Sequence, residues 1–408
     1  MRIAIVSRIF APETSAASFR LEALAEYLHE SGHDVEVITV RPPRGMETTD
    51  SNVGYRVRRA PVLRDAQHYV RGYLPYLSFD IPMFFRLITS RRFDAVIVEP
   101  PPTTGFFARL GCLLQRTPYA YYAADIWSDA AAQTGAPRIV CQVVRSIERF
   151  AWRGAALVFA VSPGVAQRLA ELGITERVSM IGNGVNVRQF CAGLRPWEAL
   201  ESSATTASTP APIEFVYAGT ASEWHGAEIF VTAFARFLRG VPTQDQLPAR
   251  LRFIGGGAHI DTIRQRAEEL GISSQVTIEP TRPARECAPI LQGATAALAS
   301  VRPGAGYDFA FATKLYSGAV CGAPLLYAGI GVGREFVETR VANHPIGYGV
   351  EYDADAIAQA MHELAALPIN ASRRRAVSQW AAQNLSLTQV ARRAAHDLIT
   401  RISAKSER

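Results

Sequence analysis

The residues with the clearest chemical meaning lie at 311–326, Phe-Ala-Thr-Lys-Leu-Tyr-Ser-Gly-Ala-Val-Cys-Gly-Ala-Pro-Leu-Leu. The order is a short polar entry, an apolar helix, a Gly-containing turn, a Pro and a strand. Just upstream, 296–301 reads as a buried strand ending in a loop. A helix that starts beyond a strand's C-terminal end presents free N–H groups and the positive end of its dipole. Such a place suits phosphate. Thr313 and Lys314 open that helix, and Lys314 adds a mobile cation. Arg302 on the preceding loop either shares the anion or is a surface arginine. Gly331, in the middle of Gly329-x-Gly331-x-Gly333, lies in a loop after the next strand where backbone could approach a ligand. Asp125 follows the predicted strand 119–123. A carboxylate there either accepts or orients a hydroxyl's proton, or caps a helix.

Those residues need a scaffold, and the chain supplies an alternation. Apolar, β-rich runs at 3–6, 35–40, 95–98, 119–123 and 157–161 alternate with helical patterns. The clearest helix is 18–31, stopped by Gly32. The pattern restarts after 212 with runs at 214–218, 250–254, 276–278, 296–299 and 324–327. Alternation of this kind implies parallel strands with crossover helices. The Ser/Thr/Ala/Pro run inside 195–212 has no periodicity and reads as a linker. The expected division is a Rossmann-like domain at 1–195, a linker at 196–212, a second Rossmann-like domain at 213–380 and a helical tail at 381–408. Ligands of such sheets bind beyond the strands' C-terminal ends, and two facing domains would form a cleft there.

Bulk properties narrow the class. A net charge of +6 over 408 residues fits an anionic substrate or a membrane surface, or a basic surface without function. No dense Lys/Arg stripe interleaved with aromatics points to nucleic acid. The five cysteines are scattered without a CxxC pair, so neither a disulfide framework nor a zinc site is expected. No clustered Asp/His set suggests another metal. The cysteine usage favours a reducing cytoplasm, and neither a signal peptide nor a membrane span is expected.

Taken in order, several segments resemble the GT-B glycosyltransferases of family 4, which are retaining enzymes using nucleotide-sugar donors. Residues 8–13 with Arg20 and 24–39 resemble the family's first β–loop–α–β unit. Ser162 with 181–186 resembles the end of its first domain. Val216-Tyr217-Ala218-Gly219, followed by His225-Gly226, resembles the opening of the donor domain, and 253–257 resembles its next Gly turn. The 313–326 segment resembles the donor helix. The resemblance implies a first domain that binds the acceptor, with Glu13, Arg20 and Asp129 as acceptor-side residues beside Asp125. For Arg20 a helix-surface ion pair is the alternative. It implies a donor site of Gly219, Thr220, His225, Arg302, Thr313, Lys314, Ser317 and Gly331, with no metal and no cofactor beyond the nucleotide sugar.

The loop Asp125-Ile126-Trp127-Ser128 is similar to the Asp-x-Trp-Pro loop of members that act on polyprenyl-diphosphate sugars in surface polysaccharide assembly, with Ser128 where Pro is usual. The segment 69–92, rich in aromatics and arginine, reads either as a basic amphipathic patch for an anionic bilayer or as a helical hairpin on the sheet. A glycan or lipid-linked acceptor and peripheral contact with the membrane's inner face follow from that subgroup.

The chain also departs from the family. Where two glutamates are usual it has Phe309 and Ser317. One hydroxyl does not replace a carboxylate on a ribose diol, which implies roughly tenfold weaker donor binding unless a residue such as Asp308 compensates. Where an Arg and a Lys are usual it has Thr220 and His225. These departures leave three readings: a glycosyltransferase of surface polysaccharide or natural-product biosynthesis, a non-catalytic GT-B protein, and a nucleotide-sugar epimerase or phosphorylase.

Overall fold

The structure is a computed structural model describing residues 1–406, except 14, 44, 47, 49, 66–69, 71, 134–135, 198–211, 241–247 and 305–309. Asp308, Phe309 and most of the expected linker therefore lie outside the described residues. The chain divides into two units, one of 1–184 with 387–408 and one of 185–386.

The first unit is built on seven parallel strands. These are β1 (Arg2–Val6), β2 (Asp34–Val40), β3 (Arg56–Ala60), β4 (Ala95–Val98), β5 (Tyr119–Ala123), β6 (Leu157–Ala160) and β7 (Val178–Met180), in spatial order β3-β2-β1-β4-β5-β6-β7. The middle strands are apolar at nearly every position because both faces are covered: β4, β5 and β6 are buried throughout. The edge strand β3, Arg-Val-Arg-Arg-Ala, leaves Arg56 and Arg58 exposed, which discourages pairing with another chain, while Arg59 turns in to Asp50. The crossover helices include α1 (Ala16–Glu30), α2 (Tyr73–Thr89), α3 (Pro102–Gln115), α4 (Trp127–Gln133), α5 (Arg138–Gly154) and α6 (Pro163–Glu171). The side chain of Ser15 caps α1 by accepting from Ser18 N at 3.0 Å.

The second unit has six parallel strands in the order β10-β9-β8-β11-β12-β15. They are β8 (Ile213–Ala218), β9 (Ala249–Ile254), β10 (Val276–Glu279), β11 (Ala296–Ser300), β12 (Leu325–Ala328) and β15 (Gly347–Val350); a small hairpin, β13 (Arg340–Val341) with β14 (His344–Pro345), lies aside. One face buries Phe215, Tyr217 and Phe253 against Phe230, Phe234 and Phe237 of helix α8 (Ile229–Gly240). The opposite face carries α7 (Val187–Cys191), α10 (Ala284–Gly293), α11 (Lys314–Val320) and α14 (Ala371–Asn384).

The observed division differs from the expected one at both ends. Residues from Val185 onward belong to the second unit, because α7 packs on α10 and α11. The last helix, Leu387–Ser406, belongs to the first unit and packs on α1, with Val390, Ala391, Ala394 and Leu398 buried.

Close approach of α11 to the sheet rests on Gly318. A Cβ there would lie 2.6 Å from Leu325 Cδ2 and 2.8 Å from Ala297 Cβ. Gly318→Val is expected to lose about 1–3 kcal/mol of stability through overpacking, read from the midpoint of urea unfolding.

Candidate active site

In each sheet the strand order reverses direction once, between β1 and β4 in the first unit and between β8 and β11 in the second. At such a switch point the loops leave in opposite directions and open a crevice at the strands' C-terminal ends. Several of the residues named above, Arg20 and Asp125 in the first unit and Gly219, His225, Arg302 and Lys314 in the second, stand at these strand ends.

In the second unit, the loop after β8 and the loop after β11 are tied together. Ser300 Oγ donates to His225 O at 2.7 Å, and Arg302 N donates to Trp224 O at 2.9 Å. This brings the 3₁₀ turn Glu223–His225 over the start of α11. Lys314 Nζ lies 2.8 Å from His225 Nε2 and 4.9 Å from the centre of the Tyr217 ring. His225 stacks on Trp224 at 3.6 Å. Gly219 has φ +137°, and a Cβ there would sit 3.3 Å from Lys314 Cε, so glycine leaves room for the lysine stem. Desolvation lowers Lys314 to about 7. Desolvation and the neighbouring lysine lower His225 to about 2, so the imidazole is neutral.

Arg302 is held by Glu228 and assisted by Tyr352, whose hydroxyl donates to Gly226 O at 2.6 Å. Thr220 is exposed, and its carbonyl accepts from the Tyr217 hydroxyl at 3.0 Å. Thr313 is the residue before α11, without a side-chain cap bond, and Ser317 follows Lys314 by one turn. The entry of α11 differs from the expected open helix end. Leu315 N and Tyr316 N already donate to Ala312 O and Thr313 O at 3.0 Å each, a 3₁₀-like tightening. With the helix only seven residues long and its entry tightened, the lysine is the main cationic group at this end. Gly331 stands at the next loop, with φ +70° at the start of helix α12 (Val332–Val337).

In the first unit, Arg20 reaches from α1 to the end of β4. Its Nη2 donates to Glu99 at 2.6 Å and its Nη1 to Asn183 at 3.2 Å, and its guanidinium lies 4.9 Å from the Tyr122 ring centre. The pair is buried, not on the helix surface. Burial raises the Glu99 carboxyl and Arg20 counters it. Asp125 is solvent-accessible just past β5, yet desolvation holds its carboxyl above the usual range against the pull of Arg20. Glu13 is engaged twice by Arg64 at 3.1 Å. Asp129 is bound by Arg168 at 2.6 and 3.0 Å and faces Arg145 at 3.5 Å. Among the expected acceptor-side residues, Asp125 and Arg20 are thus brought together, while Glu13 and Asp129 are engaged in separate ion pairs.

Comparisons with known proteins agree with this layout. Residues 16–184 match the glycosyl transferase 4-like domain. No curated protein sequence matches the chain. Sucrose-phosphate synthase from Thermosynechococcus elongatus is similar in structure, with 16% identity over 99% of each chain and a TM-score of 0.73. HepE from Anabaena in complex with UDP shares 16% identity over 98% of this chain and 100% of its own, at a TM-score of 0.71. The lipopolysaccharide outer core galactosyltransferase WaaB, in its apo form, shares 12% identity over 98% and 99%, at 0.62. The chain has the GT-B glycosyltransferase fold. At these identities the likeness carries the fold, and function must be argued from the site.

Two residues of the GT-B site region went unread in the sequence. Glu99, directly after a fully apolar strand at the switch point, carried a usable signal: a carboxylate where only the strand end is polar. Glu148 carried none, being one acid in a strongly charged helix. It is buried and accepts from Trp127 N at 2.7 Å and Ser128 N at 2.9 Å. It therefore caps α4 from α5 and orients the loop bearing Asp125. This also accounts for Ser128, because a proline there has no N–H to give. Burial raises Glu148 to about 7, with the bonds from Ser128 and Trp127 opposing. Glu148→Gln would turn an amide NH₂ toward one of those N–H groups. A loss of about 1–3 kcal/mol is expected, measured by thermal and urea unfolding.

Proposed function

We propose that the protein is a retaining glycosyltransferase that moves a sugar, a hexose in our reading, from a nucleoside-diphosphate sugar to an acceptor hydroxyl. The observation that carries this reading is Lys314. It is a lysine at the second unit's switch point with no carboxylate partner among the described residues, in a fold shared with a protein solved in complex with UDP and with UDP-glucose. The second unit takes the donor. Gly219 leaves space beside the lysine stem, Arg302 and Thr220 line the same loops, and Thr313, Ser317 and Gly331 complete the donor side. The first unit takes the acceptor, with Asp125 as base and Arg20 orienting it. The acceptor oxygen bonds to the anomeric carbon on the face from which the diphosphate departs. The carbon–oxygen bond to the diphosphate breaks, the hydroxyl proton passes to Asp125, and Lys314 stabilises the charge on the leaving group. No metal enters this scheme.

The acceptor is read as a glycan or lipid-linked sugar of a bacterial surface polysaccharide, at the inner face of the membrane. Helix α2 supports this. Phe79, Met83 and Leu87 are buried, while Leu74, Ile81 and Phe85 are exposed, as are Leu113 and Leu114 of the α3 helix that packs on α2. No helix among the described residues is long and apolar enough to cross a membrane, so contact would be peripheral. A second reading, a non-catalytic GT-B protein, draws on Ser317, Thr220 and His225 standing where the family has Glu, Arg and Lys.

Thermal unfolding with UDP-, GDP-, TDP- and ADP-sugars tests the donor assignment, since a ligand bound only to the folded state raises the Tm. One nucleotide sugar is expected to do so, and Lys314→Ala to abolish most of the shift. No shift with any of them sinks the reading. Asp125→Asn is expected to keep the donor-induced shift and to lower kcat by about 10²–10⁴. Binding without turnover by the unaltered protein, across an acceptor screen, would favour the non-catalytic reading.

A further inference from the structure

The chain is nearly devoid of lysine. Of its 43 lysine and arginine residues, only Lys314 and Lys405 are lysine. Arginine clamps phosphate well and stays charged at any working pH, whereas lysine gives up its proton readily when desolvated. Position 314 is therefore a departure from this protein's own habit, at the place where the ability to lose a proton would be felt.

The neighbouring histidine fixes the proton positions. Ser222 N donates to His225 Nδ1 at 3.3 Å. Nδ1 is then an acceptor, and a neutral imidazole must carry its hydrogen on Nε2. Nε2 is the atom 2.8 Å from Lys314 Nζ. An ammonium has no lone pair to accept that hydrogen, whereas a neutral amine has one. The opposite tautomer would set Nδ1–H against Ser222 N–H. An imidazolium would place two cations in contact.

The other groups around the pair do not restore the charge. Tyr217 faces Lys314 with its ring, and its hydroxyl is donated to Thr220 O. Glu228 is paired with Arg302, with His259 at 3.8 Å, and Tyr352 bonds Gly226 O. Thr313, just before α11, and Tyr316 and Ser317 on it carry no cationic or carboxylate group. From the helices packed on α11 come the thiols Cys191 and Cys287, raised by burial, and Arg374, whose guanidinium donates to Gln292 O and Ala294 O.

We propose that Lys314 is an uncharged amine in the free protein, held so by His225, and that it takes up one proton from solvent when a diphosphate binds. This rests on the reading of the second unit as a donor site and adds how that site is regulated. His225 is a positioning residue in this scheme, contributing to donor binding through the lysine. The lowered values of both groups, from desolvation, agree with the geometry. The sign follows from linkage: a site that gains a proton on binding loses affinity as pH rises. The loss should be about tenfold per pH unit above neutrality, until the pKa of the bound lysine is reached.

The scarcity of lysine makes the test direct. Full-length protein labelled with ¹³C at lysine Cε carries two lysine signals, and Lys314→Arg removes one and so assigns it. The Lys314 signal is expected to titrate near neutrality in the free protein. It should return toward the ordinary lysine value of about 10.4 when one of UDP-, GDP-, TDP- or ADP-glucose is added. The same return is expected in His225→Gln without ligand, because the glutamine carbonyl accepts from an ammonium. Calorimetry at pH 8 in two buffers of different ionisation heat should show about one proton taken up, and none for Lys314→Arg. An ordinary midpoint in the free protein, beside measurable nucleotide-sugar binding, overturns the proposal and leaves the donor site standing. A midpoint near neutrality that none of the four sugars moves overturns the coupling to binding and the donor assignment with it.

Discussion

Everything chemical in this molecule depends on sheets that are covered on both faces. Strands such as β4, β5, β6 and β11 are buried along their whole length. Polar side chains cannot project from their middles without losing hydration. They gather instead where each strand ends and a loop begins, above all where the strand order reverses. Glu99 and Asp125 stand at strand ends in the first unit, and Ser300 and the His225 turn do so in the second. The helices are then placed by packing, with small residues such as Gly318 deciding how near they come.

The two crevices handle buried charge in opposite ways. The first neutralises it internally, since Arg20 and Glu99 satisfy one another and Asn183 takes a further guanidinium hydrogen. Such a pair is costly to break from one side, about 3–5 kcal/mol, and it makes a rigid floor beside Asp125. The second crevice sets a lysine against a neutral imidazole and an aromatic ring, which offer no opposite charge. An anion that enters there supplies what the protein itself withholds.

Much of this was legible in the residues. The β/α alternation announced two parallel-sheet units, because strands covered on both faces need nearly continuous apolar runs. The strand and helix flanking Lys314 were equally readable, but not the tightened helix entry, where Leu315 N and Tyr316 N are already bonded. Less visible was anything set by partners distant in sequence. Glu13 and Asp129 look like free acids until Arg64 and Arg168 are seen to hold them. Glu148 looks like a surface residue of a charged helix until it is found under Trp127 and Ser128. The assignment of the last helix was equally hidden, since its Ala-rich stripe fits any apolar face and only the fold shows that the face belongs to α1.

That last helix has a consequence for how the molecule is made. The second unit is one continuous stretch, 185–386, whereas the first is completed only by 387–408. During synthesis the usual order, in which the N-terminal domain finishes first, is therefore inverted. The second unit has its whole sequence available while the first still lacks the helix that covers α1. A chain cut before residue 387 would keep the whole sequence of the second unit while leaving the α1 surface of the first without the helix that covers it.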